Sequence, residues 1–160
     1  MIIAGTGHRP QYCPCKFDES HPWLEDLKMR VSEWLDRHQP TAVISGMAIG
    51  WDTWLAQVAQ AKGIPVWAYV PFKNQGSKWP PPARLAYNEI LRKSEIVTYL
   101  SDEYYPDVFL ARDRAMVEDA DYIYSLLNPE AKSGGTYYTV QYAKKQNKTG
   151  KNFWRDYGTR

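Results

Sequence analysis

The sequence predicts an α/β protein, a three-layer αβα sandwich around a mostly parallel sheet of five to six strands. Short apolar, β-branched runs alternate with longer stretches in which apolar residues recur at helical spacing. Glycine-containing turns follow three of the apolar runs, as is common where parallel strands lead into helices. With 160 residues the chain has an ordinary length for one domain, so we treat residues 1–160 as a single unit.

The composition indicates neither a membrane protein nor a strongly charged binding surface. The chain has 20 basic and 18 acidic residues and a formal net charge of +2. No apolar run approaches the roughly 18 residues of a membrane span, and the N-terminus has the pattern of a strand instead of a signal peptide. We therefore predict a cytoplasmic protein without a membrane partner, and we do not expect nucleic acid as a partner.

Two cysteines, Cys13 and Cys15, flank a proline. His8 and His21 are the residues that would complete a zinc site with them. A spacing of one residue is tight for chelation, so we expect reduced thiols in a loop. We predict no metal and no required cofactor.

The first candidate site follows the first strand, residues 1–4. The loop at residues 5–10 lies at the carboxyl end of that strand, where ligands bind in open parallel sheets. Its glycines allow a close approach of ligand to backbone, and its arginine offers a bidentate phosphate contact. The candidates are Gly5, Thr6, Gly7, His8 and Arg9. The loop departs from G-x-G-x-x-G, so the standard dinucleotide fingerprint is missing.

The second candidate site is the turn after the strand at residues 42–44. An irregular connection at residues 11–21 and a helix at residues 22–37 precede it. The turn leads into a helix that ends near Ala61, and Asp52 is placed to cap that helix. A helix N-terminus of this kind presents free N–H groups and a positive dipole end to an anion. The candidates are Ser45, Gly46, Met47, Ala48, Gly50 and Asp52.

A long loop at residues 73–82 follows the third strand, residues 64–70. Long loops within compact domains are often functional. Gln75 and Trp79 are therefore candidates for binding and stacking a nucleotide base, with a tyrosine near position 104 as an alternative stacking residue. A helix at residues 83–93 and a strand at residues 96–100 come next.

The third candidate site is a second glycine turn that opens a helix at residues 137–146. Before it lie a helix at residues 107–119, which carries Arg112, and a strand at residues 121–127. The turn repeats the phosphate-binding pattern of the second one. Its candidates are Ser133, Gly134, Gly135 and Thr136. From Lys151 onward the chain has the pattern of a short edge strand.

Taken together, these motifs resemble the SLOG superfamily, the Rossmann-like group of the DNA-processing protein DprA and the LOG phosphoribohydrolases. The nearest resemblance is to its small stand-alone YpsA-like members of bacteria and phages, and it spans about residues 1–146. The matching segments are Gly-Thr-Gly-His-Arg-Pro at 5–10, Ser-Gly-Met-Ala-Ile-Gly-Trp-Asp at 45–52, Pro-Phe at 71–72, Arg-Asp-Arg at 112–114 and Ser-Gly-Gly-Thr at 133–136.

The resemblance implies a nucleotide-derived ligand, such as a nucleoside phosphate, an ADP-ribose or NAD fragment, or a signalling nucleotide. It places the LOG catalytic arginine on Arg112, whereas the position of the LOG glutamate is occupied by Tyr138. Our leading hypothesis is therefore a nucleotide-binding domain that senses or sequesters its ligand. An N-glycosidic hydrolase or glycosyl-transferring enzyme is the alternative, and single-stranded DNA binding ranks third. We also expect a homodimer, as in LOG-like relatives.

Overall fold

A computed structural model describes residues 1–157 and shows six parallel strands in one sheet. The spatial order is β4-β3-β2-β1-β5-β6. The strands are β1 (Ile2–Gly7), β2 (Ala42–Ser45), β3 (Val66–Phe72), β4 (Ile96–Ser101), β5 (Tyr122–Leu126) and β6 (Thr149–Asn152). The predicted α/β sandwich with five to six strands is confirmed. Residues 158–160, which the predicted domain includes, lie outside the described residues.

Within the described residues, five α-helices cover the two faces of the sheet. They are α1 (Pro22–His38), α2 (Trp51–Ala61), α3 (Pro81–Lys93), α4 (Val108–Asp119) and α5 (Gly135–Lys145). The helices α1, α2 and α3 bury a large apolar core that includes Trp51 and Leu55, whereas α4 and α5 bury a smaller one around Met116 and Ala143. Both cores have the apolar side chains at helical spacing that the sequence shows.

The first strand is longer than predicted, because it continues through Gly7 and not only to residue 4. The expected loop at residues 5–10 therefore begins only at His8. A Cβ atom on Gly7 would lie 2.4 Å from Trp51 Cγ, and one on Gly5 would lie 2.5 Å from Leu55 Cδ2. These two glycines are thus needed for the close packing of β1 against α2. This is a different reason for glycine from the close approach of a ligand that the sequence suggests.

Several predicted boundaries shift by one or two residues. The helix α3 starts at Pro81, because proline fits the first turn of a helix, where its missing N–H is not needed. The helix α5 starts at Gly135, two residues before the predicted start. The predicted edge strand is present as β6, which starts at Thr149, earlier than Lys151, and pairs in parallel with β5.

The strand order determines where a ligand site is expected. The chain adds β2, β3 and β4 on one side of β1 and then returns to place β5 on the other side. The segment after β1 leads into α1, and the segment after β5 leads into α5 on the opposite face. A crevice opens at such a topological switch point, outside the carboxyl ends of the two strands.

Candidate functional site

A cleft with a volume of about 810 Å³ lies at this switch point. Its size falls within the range of about 300–1,000 Å³ that is typical of small-molecule sites. Residues from β1, α2, α4, α5 and the loop after β5 line it. The predicted site residues among them are Gly5, Thr6, Gly7, His8, Arg9, Ala48, Asp52, Arg112, Ser133, Gly134, Gly135 and Thr136.

The first turn of α5 opens directly onto the cleft. Gly134 precedes the helix with φ 99°, a backbone conformation that favours glycine, and no side chain caps the first turn. Ser133, Gly134 and Gly135 are exposed. An uncapped first turn leaves backbone N–H groups without intrahelical acceptors, and these N–H groups point toward the positive end of the helix dipole. This turn therefore has the features of an anion-binding site.

The turn before α2 is closed by its own side chains instead. Ser45 Oγ accepts a hydrogen bond from Met47 N at 3.1 Å and donates one to Asp52 O at 3.0 Å. Ser45, Gly46 and Met47 are buried, and Gly50 packs against the backbone of His8 and Arg9. Of the six residues predicted in this turn, only Ala48 and Asp52 line the cleft.

Asp52 is not the helix cap that the sequence predicts. Gly50, with φ 103°, occupies the cap position, and Asp52 is the second residue of α2. Its side chain turns back, so that Oδ2 accepts from Ala48 N at 3.2 Å. Burial raises the pKa of the Asp52 carboxyl to about 6; the Arg112 guanidinium opposes this rise and the Asp113 carboxylate adds to it.

Arg112 lies at the base of the cleft and is 6% exposed. It donates through NH1 to Gly46 O and through Nε to Asp113 Oδ1 at 2.7 Å. Asp113 Oδ2 in turn accepts from Thr139 Oγ1 at 3.1 Å. The arginine thus joins α4 to the α2 turn, while Asp113 joins α4 to α5. Its catalytic role in a LOG-like reaction stays a prediction.

His8 joins the loop after β1 to the loop after β5. Its Nε2 accepts a hydrogen bond from Asn128 N at 3.0 Å, so the neutral ring carries its proton on Nδ1. Burial lowers the pKa of the His8 imidazole. Because that hydrogen bond needs an unprotonated Nε2, His8 acts at neutral pH as an uncharged group in the wall of the cleft.

The rim of the cleft contains residues that sequence reasoning missed. Tyr12 is 65% exposed and its ring centroid lies 6.2 Å from that of His8. Lys132 is exposed beside the first turn of α5, and Phe109 and Asn128 also line the cleft. Tyr12 lies two residues after the first candidate loop. This proximity is the one signal in the sequence that could have identified Tyr12 as a residue of the cleft. Lys132 lies one residue before the Ser-Gly-Gly-Thr turn.

Gln75 and Trp79 are not part of the cleft lining. Gln75 Nε2 donates to Met47 O at 3.0 Å, so this side chain closes the α2 turn instead of binding a base. The Trp79 ring packs on Tyr87 at a centroid distance of 5.2 Å. Tyr104 contacts Phe72 and Phe109 and also lies outside the lining. The long loop is held by contacts with the α2 turn and with α3.

Cys13 and Cys15 are buried thiols in the large apolar core. Burial raises the pKa of the Cys13 thiol to about 12 and also raises that of Cys15, which makes both weak nucleophiles. Within residues 1–157, no three His, Cys, Asp or Glu side chains come together as a metal site would require. None of the helices formed by these residues combines the length and apolar character needed to cross a membrane.

The comparison with protein families establishes which family the chain represents. Residues 3–155 match the model of the YpsA family, described as the YspA SLOG family. The chain therefore belongs to the YpsA family of the SLOG group, as the motifs predict. A UPF0398 protein of Lysinibacillus sphaericus (strain C3-41) is 26% identical over 151 residues, which cover 88% of this chain and 83% of that protein.

Solved structures show the same fold. DNA processing protein A of Helicobacter pylori superposes with a TM-score of 0.67 at 18% identity, covering 94% of this chain. The Streptococcus pneumoniae protein DprA gives a TM-score of 0.65 at 15% identity, covering 92% of this chain. The chain spans 63% of the length of the first and 48% of the second.

These neighbours contradict our expectation about nucleic acid. The H. pylori structure is described as revealing a single-stranded DNA binding mode of that protein. A protein of this fold thus binds nucleic acid. The net charge of +2 does not exclude such a partner, because binding depends on the local arrangement of phosphate-binding groups. The comparisons give no support to the expected homodimer.

Proposed function

From the family and the open first turn of α5, we propose that the cleft binds the phosphate of a nucleotide. The phosphate belongs either to a free nucleotide-derived molecule or to single-stranded DNA. The observation that carries the proposal is the uncapped turn at Ser133–Thr136, which opens into a cleft at the switch point of a parallel sheet.

The charges on the rim support this proposal. Arg9 and Lys132 are exposed and line the cleft, together with the exposed carboxylate of Glu130. The buried guanidinium of Arg112 is already bonded to Asp113, so the exposed pair supplies the cationic groups for a phosphate. Tyr12 presents an exposed ring at the same rim, where a base would stack.

We propose binding without hydrolysis of the glycosidic bond. In LOG enzymes, as the resemblance implies, such hydrolysis relies on a glutamate just after the glycine turn. Tyr138 stands at the position of the LOG glutamate, is 55% exposed and does not line the cleft. The function proposed is therefore that of a module which senses or sequesters a nucleotide, or which holds a single strand.

The test measures binding of adenosine 5′-monophosphate by calorimetry and of fluorescein-labelled oligothymidylate by anisotropy. We expect at least one of them to bind, and Arg9→Ala to weaken binding about tenfold or more through loss of a charge-assisted hydrogen bond. With two phosphate contacts, the salt slope for the oligonucleotide would be about −1.4. Lys145→Ala, an exposed lysine in the last turn of α5, is the matched control.

Two outcomes would refute the proposal. One is that neither ligand binds at millimolar concentration. The other is that Arg9→Ala and Lys145→Ala have equal effects, because binding would then depend on charge alone and not on the cleft. Preference for the mononucleotide over the oligonucleotide, or the reverse, identifies which source of phosphate the site uses.

A further inference from the structure

The floor of the cleft differs chemically from its rim. It is formed by three polar side chains that are each more than nine-tenths buried: Thr6 of β1, Asp52 of α2 and Arg112 of α4, with exposed fractions of 8%, 7% and 6%. The three residues come from separate elements and line the same cleft. Such convergence of buried polar groups on an open space is uncommon, since buried polar groups are normally paired.

Each of these side chains keeps one polar atom that the protein does not satisfy. Asp52 Oδ2 accepts from Ala48 N, but across residues 1–157 no group donates to Oδ1. Arg112 uses Nε and NH1, and within the same part of the chain NH2 has no acceptor. Thr6 Oγ1 likewise has no partner among the described residues, although it lies beside the cleft. The floor thus offers one acceptor, one donor and one hydroxyl.

Thr6 reaches this floor because of strand geometry. Side chains along a strand point alternately to the two faces of a sheet. Positions 5 and 7 face Leu55 and Trp51 of α2. Thr6 therefore faces the layer that contains α4 and α5, the side on which Arg112 and the α5 turn lie.

A phosphate does not suit this floor. An ionised carboxylate only accepts hydrogen bonds, and it repels a phosphate. Asp113 adds a second carboxylate nearby, although Arg112 and Thr139 already occupy both of its oxygens. The group that fits must donate to Asp52 and accept from Arg112 or Thr6. A hydroxyl does both, and the ligand that places a hydroxyl near its own phosphate is a sugar phosphate.

We infer that the floor is a hydroxyl-binding subsite, in which Asp52 accepts a hydrogen bond from a sugar hydroxyl of the bound nucleotide. This inference rests on the proposed function, with the phosphate at the α5 turn and the sugar below it. It makes Asp52 the residue that distinguishes ligands with a free hydroxyl from those without one. That hydroxyl belongs either to the ribose of a free nucleotide or to the 3′ end of a DNA strand.

The test compares ligands on the unmodified protein first, so that it does not depend on the folding of a variant. Calorimetry is done with adenosine 5′-monophosphate, its 2′-deoxy form and its 2′,3′-dideoxy form. Anisotropy is done with oligothymidylate that ends in a 3′-hydroxyl or in a 3′-deoxy nucleotide. We expect loss of the recognised hydroxyl to weaken binding about 10- to 100-fold in one of the two series, because a charged acceptor in the floor of the cleft loses its donor.

Two variants assign the preference to Asp52. In Asp52→Asn the single amide oxygen is taken by Ala48 N, so we expect the preference for the hydroxyl to fall to less than about threefold. Asp119→Asn is the control, because this carboxylate of the same helix as Arg112 lies outside the cleft lining and accepts a hydrogen bond from Tyr69 OH. It should keep the ratio between hydroxyl and deoxy ligands even if overall affinity drops.

The outcomes separate this inference from the proposed function. If the ligands bind and neither series depends on the hydroxyl, the subsite does not exist while phosphate binding stands. If the preference exists but survives Asp52→Asn unchanged, Asp52 is not its source, and the inference fails as well. If none of the ligands binds, the proposed function fails and the subsite falls with it.

Discussion

Two glycine turns lead into helices at the carboxyl edge of this sheet, and they differ in what occupies them. The turn before α2, residues 45–50, is filled by the protein: Gln75 binds Met47 O, Arg112 binds Gly46 O and Asp52 binds Ala48 N. Neither helix has a side-chain cap, but among the described residues the turn before α5, residues 133–136, takes part in only one side-chain hydrogen bond, from Thr139 Oγ1 to Gly135 O. Two turns of similar composition thus have different roles, one structural and one available to a ligand.

The difference has a physical origin in the neighbours of each turn. The α2 turn lies next to β3 and α4 near the centre of the sheet, so polar side chains from the loop after β3 and from α4 reach its peptide groups. The α5 turn projects from the side of the switch point, where the chain leaves a crevice. Backbone N–H and C=O groups that find hydrogen-bond partners within the protein can be buried. Those beside a crevice are left free to bond to water or to a ligand.

The largest effect we expect comes from removing the arginine that closes the α2 turn. Arg112→Leu leaves Gly46 O without a donor, and it leaves the buried Asp52 carboxylate and the partly buried Asp113 carboxylate without their cation. Loss of one partner from a buried ion pair costs about 3–5 kcal/mol in the free energy of unfolding. Urea denaturation measures it.

The control for this prediction lies two residues along the same helix. Arg114 is exposed, and its guanidinium carbon lies 5.8 Å from the centroid of the Tyr142 ring. Arg114→Leu should cost less than about 1 kcal/mol. If the two variants unfold at the same urea concentration, Arg112 does not hold the turn closed, and the contrast between the two turns loses its main support.

The sequence predicts the fold and both turns, but not which turn is closed. Apolar periodicity and glycine positions are local signals, and they predict a mostly parallel sheet of five to six strands and five helices, with shifts of a few residues. The closing contacts are distant in sequence: Gln75 and Met47 are 28 residues apart, and Arg112 and Gly46 are 66 apart. No local pattern encodes such pairs, so the sequence predicts a base-binding role for Gln75 where the structure has a closing contact.

The sequence also does not identify the exposed residues at the rim of the cleft, and the reason is a lack of any local pattern. Tyr12 and Lys132 are exposed residues in connections without periodicity, where sequence patterns contain no information about direction. Only the strand order 4-3-2-1-5-6 brings the connections after β1 and β5 together. The site is therefore a property of topology, and its exposed residues could be identified only after the order of the strands was known.

A pH titration of stability tests whether Asp52 is buried as the closed turn requires. Burial raises its pKa from 3.8 to about 6, so between these values the folded protein holds a proton that the unfolded chain has released. The contribution of Asp52 to the free energy of unfolding is therefore lost as the pH rises from 3.8 to about 6. A difference of about two pKa units corresponds to about 3 kcal/mol in the free energy of unfolding.

The comparison with Asp52→Asn isolates this contribution. Other shifted groups, such as Glu89, whose pKa is lowered by hydrogen bonds from Arg92 and Lys93, are common to both proteins and cancel. We expect the stability of wild type relative to the variant to fall by about 2 kcal/mol between pH 4 and pH 7. A difference that does not change with pH would show that the carboxyl is solvated, and the turn would then be open.

The smallest effect gives the most direct comparison, because the same substitution is made in both turns. Gly50 and Gly134 precede α2 and α5 with φ values of 103° and 99°, so alanine is strained at both positions. Only Gly50 is also enclosed: an added Cβ would lie 2.8 Å from His8 O and 2.9 Å from Arg9 Cα, whereas nothing lies within 4 Å at Gly134. Backbone strain therefore cancels between the variants, and the cost of overpacking remains.

We expect Gly50→Ala to be less stable than Gly134→Ala by about 1–3 kcal/mol in urea denaturation. Equal stabilities would show that both turns are open to solvent.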